Sequence, residues 1–486
     1  MTYTPPDPVA RQRVDAWRDV ELGDTADPAE IREIFDRAIG VDDSLDRESL
    51  IPNGMAEWFV VAQTLIPALL YVPGAQAFRL PIRVASYTIA LVGFGLWWFK
   101  RGGHRSLPHP SERWLILAVA YLALMLFHPL TNGLLAGAAQ VMLYVAIFCA
   151  VFWAPAYVER PRQLVRILAI MLICNGINSL VGVLQVYDPD RWMPRELSFV
   201  YTGTNRTAMD IATYIGPDGR RIVRPPGLFD TPGAVCGAGT VAALLGLVFA
   251  LERFAWWKRL AALGFSLAGI SAIYLSHVRA SLVVTIGMMA VYSVTLVVQG
   301  ERKRLSAFVG LSATLVAAGL AGAVFLGGTS IRDRFSTLLQ DDPGSIYYSS
   351  RGQQLVTGFS ELVDEYPFGA GLARWGMMRG YFGDRSNLDS TALWAEVQPN
   401  AWMLDGGVFL VGLYTAALLA AALFEWRLAS RLFNREDRMW AAVVTAVNVG
   451  TLALIFTFVP FATQVGLQYW FLEGALHGAM VHRLRK

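Results

Sequence analysis

Apolar blocks of about 20 residues recur along this chain from residue 56 to residue 481, and that is the length a helix needs to cross a hydrocarbon core about 30 Å thick. Charged residues make up only 16% of the chain, where a soluble domain carries about 25%, and the mean hydropathy is +0.42. The expected fold is an all-α polytopic membrane protein of about twelve transmembrane helices. A formal net charge of +3 over 486 residues is too small to suggest a nucleic-acid partner. The position of the positive charge matters more than its sum.

Spans are expected near 56–73, 80–99, 113–128, 134–157, 163–187, 231–251, 259–276, 280–298, 305–327, 400–424, 438–459 and 461–481. Basic residues crowd every second connection. One set of loops holds Lys100, Arg101 and Arg105; Arg160, Arg162 and Arg166; Arg253, Lys258 and Arg259; Arg302, Lys303 and Arg304. It continues with Arg427, Arg431, Arg435 and Arg438, and the C-terminus carries Arg483, Arg485 and Lys486. The alternate short loops (74–79, 128–133, around 277–280, around 460) hold only Arg79 and Arg279. Loops rich in lysine and arginine stay cytoplasmic, so both termini are expected on that side.

The chain then divides into a cytoplasmic N-terminal segment (1–54) and nine spans over 55–328, interrupted by an outer loop at 188–230. A large, partly helical outer loop (329–399) follows between spans nine and ten, and 400–486 supplies the last three spans and a cytoplasmic C-terminus. Segment 1–54 is polar with no apolar core, so targeting is expected from the first membrane helix rather than a cleaved signal peptide. Cys149, Cys174 and Cys236 lie inside apolar blocks, where cysteine behaves as a small hydrophobe. Neither a disulfide nor a cysteine-held metal is expected. No internal repeat marks an inverted-repeat transporter.

Outer loops this long are usually functional or disordered, and their aromatic and amphipathic content argues for order. In the first, Gly216-Pro217-Asp218-Gly219 between β-prone stretches predicts a hairpin, followed by Arg220, Arg221 and Arg224. In the second, Ser349 or Ser350 is placed to cap a helix with Leu355, Phe359, Leu362, Val363 and Tyr366 on one face. Pro367 ends it. The apolar face needs a partner, so the loop is expected to fold back over the outer membrane face and enclose a cavity reached from the lipid.

Few arginines stay on the outer side. Arg279 sits in the short hairpin Ser276-His277-Val278-Arg279-Ala280-Ser281, and arginine at membrane depth is costly unless solvated or paired. It either snorkels to the interface or faces an outer cavity as an anion site. Arg224 precedes Pro225-Pro226-Gly227, where the chain re-enters the membrane, and Arg351 opens the amphipathic helix. Guanidinium groups match phosphate geometry bidentately and stay charged. Three of them would suit a lipid diphosphate.

Arg224-Pro225-Pro226-Gly227-Leu228-Phe229-Asp230-Thr231-Pro232 resembles the R-x-x-G-x-F-x-x-P segment of the O-antigen polymerase and ligase superfamily. Ser276 to Ala280 is similar to that family's short S-R hairpin, with Val278 where serine is usual. Ser350-Arg351 and then Tyr366-Pro367-Phe368-Gly369-Ala370-Gly371 resemble its S-R … P-x-G-x-G loop signature. Asn400 followed by Gly407 resembles the segment that opens the helix after the large loop. The likeness spans residues 220–415 and rests on the order and spacing of these motifs.

The resemblance implies a metal-independent inverting glycosyltransferase of the GT-C type on the periplasmic face of the bacterial inner membrane, without cofactor or nucleotide sugar. Such enzymes move a glycan from undecaprenyl diphosphate to a lipid-linked repeat (polymerases), to lipid A core (ligases) or to protein. It implies that Arg224, Arg279 and Arg351 hold the diphosphate, supported by His277, Asn400, Gly369 and Gly371. The implied partners are lipid-linked glycan donor and acceptor, membrane lipids and, as a candidate, a chain-length regulator protein.

One departure bears on the acceptor. Ligases carry histidine before the Asn400-like position, with glycine about ten residues on; here Pro399 stands before Asn400, and Gly406 and Gly407 arrive early. All six histidines (His104, His109, His128, His277, His477, His482) lie outside the large loop. A polymerase of O-antigen or exopolysaccharide is therefore favoured over a ligase. A base for the acceptor hydroxyl is expected at Glu396, four residues before Asn400 and on its face if that stretch is helical. Asp389, Glu365 and Asp405 are alternatives, as is His277. Glu473 and His477, also four apart, are expected to pair with each other. A flippase or other transporter would carry charge deep in several spans or broken helices, whereas most ionisable residues here fall at span ends. A non-catalytic assembly partner would tolerate loss of the arginines.

Overall fold

The apolar blocks fold as helices. The computed structural model describes residues 52, 54–72, 74–100, 108–194, 208–215, 221–328, 331, 342–383, 393–432 and 434–481. Residues 1–51, Arg101, Arg105, His104, the turn Gly216–Gly219, Arg220, Asp389, His482, Arg483, Arg485 and Lys486 lie outside them. The long helices are α1 (Met55–Leu65, extended by a 3-10 turn Ile66–Tyr71), α2 (Arg79–Lys100), α3 (Glu112–Met125), α4 (Leu134–Phe148) and α5 (Ala150–Tyr157). They continue with α6 (Pro161–Tyr187), α7 (Val235–Leu251), α8 (Trp256–Leu275), α9 (Arg279–Val298) and α10 (Arg302–Gly327). After the large loop come α11 (Gln398–Arg431), α12 (Arg435–Leu454) and α13 (Gln464–Val481).

A helix covers each of the twelve expected spans. Among the described residues, seven stretches are long and apolar enough to cross a membrane: α2, α4 running into α5, α6, α8, α9, α10 and α11. Met55–Tyr71 and α7 are shorter apolar helices. This is the architecture of an all-α membrane protein, with two short strands added.

Small residues let the helix backbones approach, the means by which helices pack in lipid without a hydrophobic driving force. A Cβ on Gly239 of α7 would come within 2.6 Å of the Gly269 carbonyl oxygen of α8, and one on Gly269 within 2.6 Å of the Gly239 oxygen. Ser266 donates across the same seam to the Ala243 carbonyl at 2.8 Å. Elsewhere the core is aromatic. Trp402 stacks on Tyr414 with centroids 4.8 Å apart, Phe461 lies 5.4 Å from Tyr414, and Trp470 Nε1 donates to the Tyr414 hydroxyl at 3.0 Å. These contacts tie α11 to α13.

Both long loops carry local structure. Strands β1 (Thr213–Ile215) and β2 (Arg221–Val223) pair antiparallel with Tyr214 opposite Ile222, the expected hairpin. In the large loop the helical run begins earlier than expected. Asp342, not Ser349 or Ser350, supplies the cap, accepting from Gly344 N at 3.1 Å and Ser345 N at 3.0 Å. Asp342 is followed by Pro343, which suits a first helical turn and which the reading from Ser349 overlooked. The run passes through two π turns, Tyr348–Gly352 and Gln354–Gly358, before Phe359–Glu365. It stops at Tyr366, whose backbone leaves the helical region (φ −131°, ψ 59°) because Pro367 disfavours it there. Leu362 and Tyr366 pack on a small core of Ala370, Trp375, Ala395, Ala401 and Leu404, so this end of the loop lies against the first turns of α11.

Candidate functional site

The re-entrant segment after β2 is pinned from below by α6. Pro225, Pro226, Gly227 and Leu228 are buried. Gln185 brackets Gly227, accepting its N–H at 2.8 Å and donating to its carbonyl at 2.8 Å. The Tyr71 hydroxyl donates to the same carbonyl, and Asn178 Oδ1 accepts from Leu228 N at 2.9 Å. Gly227 has φ +67°, and a Cβ there would overlap Asn178 Oδ1. These contacts fix where the chain turns, and so where Arg224 stands.

Arg224 is anchored by its N–H to the Ala212 carbonyl at 2.7 Å and by its own carbonyl, which accepts from Gly233 N at 3.3 Å. Its guanidinium lies over Gly233, where an added Cβ would be 3.2 Å from Arg224 Nη2 and 3.4 Å from Val278 Cγ2. Arg224 thus reaches the hairpin that carries His277 and Arg279. Its charge also acts on Cys236, which is hydrogen-bonded to Ser281. Cys236 and Ser281 lie in the first turns of α7 and α9, whose interiors meet again where Thr285 donates to Thr240 at 3.3 Å. Two helix N-termini, each a positive dipole end, therefore flank Arg224, and Arg279 is the first residue of one of them. An anion is what such an arrangement binds.

His277 is buried and holds a left-handed backbone (φ +57°) that few non-glycine residues adopt. Its ring meets Tyr214 of β1 edge-on at 5.9 Å. The β1–β2 hairpin therefore packs on the α8–α9 turn.

Arg351, Glu396 and Asn400 form a second group. The Arg351 guanidinium pairs with the Glu396 carboxylate. Gln354, one turn further along, ties both to α11: its Oε1 accepts from Glu396 N at 3.1 Å and its carbonyl accepts from Asn400 Nδ2 at 2.9 Å. Arg351 and Gln354 sit in the π turns, irregularities that recur at functional sites. Partial burial pulls the Arg351 guanidinium below its ordinary value, though it remains a cation at neutral pH. Glu396 precedes the helix, which starts at Gln398 after Val397, so it does not share a helical face with Asn400. The two meet through Gln354 instead.

Gly369 and Gly371 earn their places by backbone geometry. They have φ +103° and +89°; a Cβ on Gly369 would stand 3.0 Å from Gly406 Cα, and one on Gly371 2.5 Å from the Leu130 carbonyl carbon. The loop Pro367–Gly371 is seated in a break of α11, where Gly406 and Gly407 leave helical geometry. Beside the break Asp405 is fully buried. It accepts from Gln140 Nε2 at 3.0 Å, the Tyr144 hydroxyl at 2.7 Å and Trp375 Nε1 at 3.0 Å. Its oxygens are engaged in holding the break, so Asp405 is a structural carboxylate rather than an alternative base. Glu365 is exposed.

Sequence reading missed one cluster. Arg83 donates Nε to Asp230 Oδ2 at 2.7 Å and Nη1 to the Tyr381 hydroxyl at 3.0 Å, and Arg79 Nη2 lies 3.6 Å from the same carboxylate oxygen. It joins α2, the re-entrant segment and the large loop's Gly376–Phe382 helix. The available signal was the spacing of Arg79 and Arg83, four apart at the start of α2; Arg83 was absorbed into the span.

One other expectation changes. Glu473 meets His109 rather than His477, with His109 Nε2 3.4 Å from Glu473 Oε2, because the segment entering α3 reaches into the bundle. Three carboxyls, of Asp405, Glu425 and Glu473, are fully buried inside the bundle. Among the described residues, no three His, Cys, Asp or Glu side chains gather so as to hold a metal ion. Compared with models of known protein families and with curated proteins, the chain matches none.

Proposed function

We propose that this chain is a polysaccharide polymerase of the bacterial inner membrane, transferring a growing glycan from undecaprenyl diphosphate to a lipid-linked repeat on the periplasmic face. The observation that carries this reading is Arg224 held between the N-termini of α7 and α9, with Arg279 beginning α9. That is a fixed cationic site at one end of a membrane bundle, suited to a diphosphate. On this reading Arg351, in the second group, would complete the cationic set from the large loop. Preorganised cations of this kind stabilise charge developing on a leaving group, and the diphosphate is the leaving group of the transfer.

The Arg351–Glu396 pair suggests how the acceptor is activated. A diphosphate that takes the Arg351 guanidinium displaces Glu396, and the released carboxylate becomes the base for the acceptor hydroxyl. Donor binding and base release are then one event.

Twelve crossings with both termini cytoplasmic fit the ion pairs. Arg166–Glu57, Arg304–Glu252 and Arg435–Glu301 each join two residues from the basic side. Arg83–Asp230 and Arg351–Glu396 each join two from the other. The large loop, folded on α11, would roof the site on the outer side.

A transporter is the second reading, favoured by the break in α11 and the buried carboxylates. Purified protein in nanodiscs, given a single lipid-linked repeat without divalent metal or ATP, separates the cases. Elongation is expected, with Arg224→Lys and Arg279→Lys each slower by about 100-fold because lysine lacks the bidentate contact. Transfer of a preassembled glycan to lipid A core instead would make it a ligase. Movement of glycolipid across the bilayer with no bond formed would make it a transporter.

A further inference from the structure

The last three helices enclose a polar cluster that the proposed transfer does not use. Glu425 of α11 and Glu473 of α13 are fully buried, and their carboxyls face each other. Asn448 of α12, also fully buried, donates Nδ2 to Glu425 Oε1 at 2.5 Å. Glu425 Oε2, both Glu473 oxygens and Asn448 Oδ1 are buried without a well-formed hydrogen bond. The Tyr469 hydroxyl and His109 Nε2, which meet Glu473, are buried without one as well. Two donors against four acceptors leave the cluster short of a proton.

The titratable neighbours are known from each element. The segment before α3 brings His109, with Glu112 acting on it from α3. α11 brings Tyr414 besides Glu425, and α13 brings Tyr469 and His477 besides Glu473. α5 closes the back of α13 with backbone and alanine, valine and proline carbons against Gly474 and Gly478. The basic groups that meet the pair are imidazoles, which are readily neutral when buried.

Two carboxyls in contact away from water cannot both be ionised, and the cluster holds more acceptors than donors. We infer that Glu425 and Glu473 form a proton-binding site inside the membrane, one shared proton bridging the carboxyls and holding α11, α12 and α13 together. This inference does not rest on the polymerase reading. Its reach is set by α11, which also carries Asn400 on the far side of the Gly406-Gly407 break. Release of the proton leaves two facing carboxylates, so the three helices repack.

Infrared spectroscopy of the full-length protein in nanodiscs tests this. The expected result is a protonated-carboxyl C=O band at neutral pH that moves in heavy water and fades as the pH is raised. Glu425→Gln and Glu473→Gln should each remove it, since an amide replaces the acid with little change of shape. Melting temperature should fall with rising pH in the wild type and stay level in the double glutamine variant. Absence of the band at neutral pH overturns the proposal, and the wild-type spectrum decides this even if a variant does not fold. A band that survives both substitutions overturns it. So does one abolished by sodium but not by choline chloride, which would make the site a cation site.

Discussion

The carbonyl oxygen of Pro367 lies where a side chain on Gly407 would begin, and it accepts the Val408 N–H at 3.0 Å. At the break the large loop is therefore seated in α11 backbone against backbone. Replacing Gly407 with alanine adds a Cβ at a left-handed position (φ +62°) and drives it into that oxygen. A left-handed non-glycine residue costs about 1–2 kcal/mol by itself, so Gly407→Ala should lose at least that much. Thermal melting in detergent measures it. Gly412→Ala, with no atom within 4 Å of the added carbon, should melt at or slightly above wild type.

Asp405 should rank its substitutions by the donors left behind. Asp405→Ala strands Gln140, Tyr144 and Trp375, each unpaired buried donor costing about 1–3 kcal/mol, and should express poorly or melt far lower. Asp405→Asn should sit between alanine and wild type, because the Tyr144 hydroxyl can rotate and the Gln140 amide can flip. Equal melting temperatures for all three proteins would show that the carboxylate does not hold the break.

The helices and their order were legible because lipid-facing segments must be apolar for about 20 residues, and Pro367 marked the end of the large loop's helix. The candidate site was legible only as isolated arginines and glycines. Gly369 and Gly371 could be singled out but not explained, since their role depends on Gly406 and Leu130, both remote in sequence. Arg83 and Asp230 were missed because their pairing crosses 147 residues and leaves no local pattern. Glu473 found the wrong histidine for the same reason: His477 was near in the chain, His109 near in space. The break in α11 could have been suspected at Gly406-Gly407, but a pair of glycines in an apolar run does not announce what will be seated against it.

Topology can be read by labelling single cysteines placed at Asp190, Ser345 and Lys303, all exposed, in a background with Cys149, Cys174 and Cys236 replaced. Positions 190 and 345 should react with an impermeant maleimide in intact spheroplasts, and position 303 only after lysis. Protection of 190 or 345 would reverse the orientation.

Gly233 gives access to Arg224 without removing it. Gly233→Ala introduces a Cβ 3.2 Å from Arg224 Nη2, so the guanidinium must shift by a few tenths of an ångström. Elongation should fall about 10-fold, the effect of losing about 1.4 kcal/mol of transition-state stabilisation. Gly237→Ala, with nothing near the added carbon, should leave the rate unchanged. Equal rates for the two variants would remove Arg224 from the chemistry.

Glu396 is where the proposed mechanism is most exposed, because its pairing with Arg351 allows two roles with opposite signatures. If Glu396 only steers the guanidinium, glutamine can still accept the hydrogen bond, and Glu396→Gln should elongate at nearly the wild-type rate. If the diphosphate displaces Glu396 and frees it as the base, the same substitution removes the group that takes the acceptor proton. General-base loss costs about 100-fold or more in kcat. It should not weaken donor binding, since the amide competes less strongly than a carboxylate for Arg351. The expected result is therefore a kcat lower by about 100-fold with a donor KM equal to or below wild type. Arg351→Ala should raise KM, and the double variant should lose less than the sum of the two, as groups in contact do. A wild-type kcat for Glu396→Gln would leave diphosphate departure as the dominant event and make Glu396 a counter-ion alone.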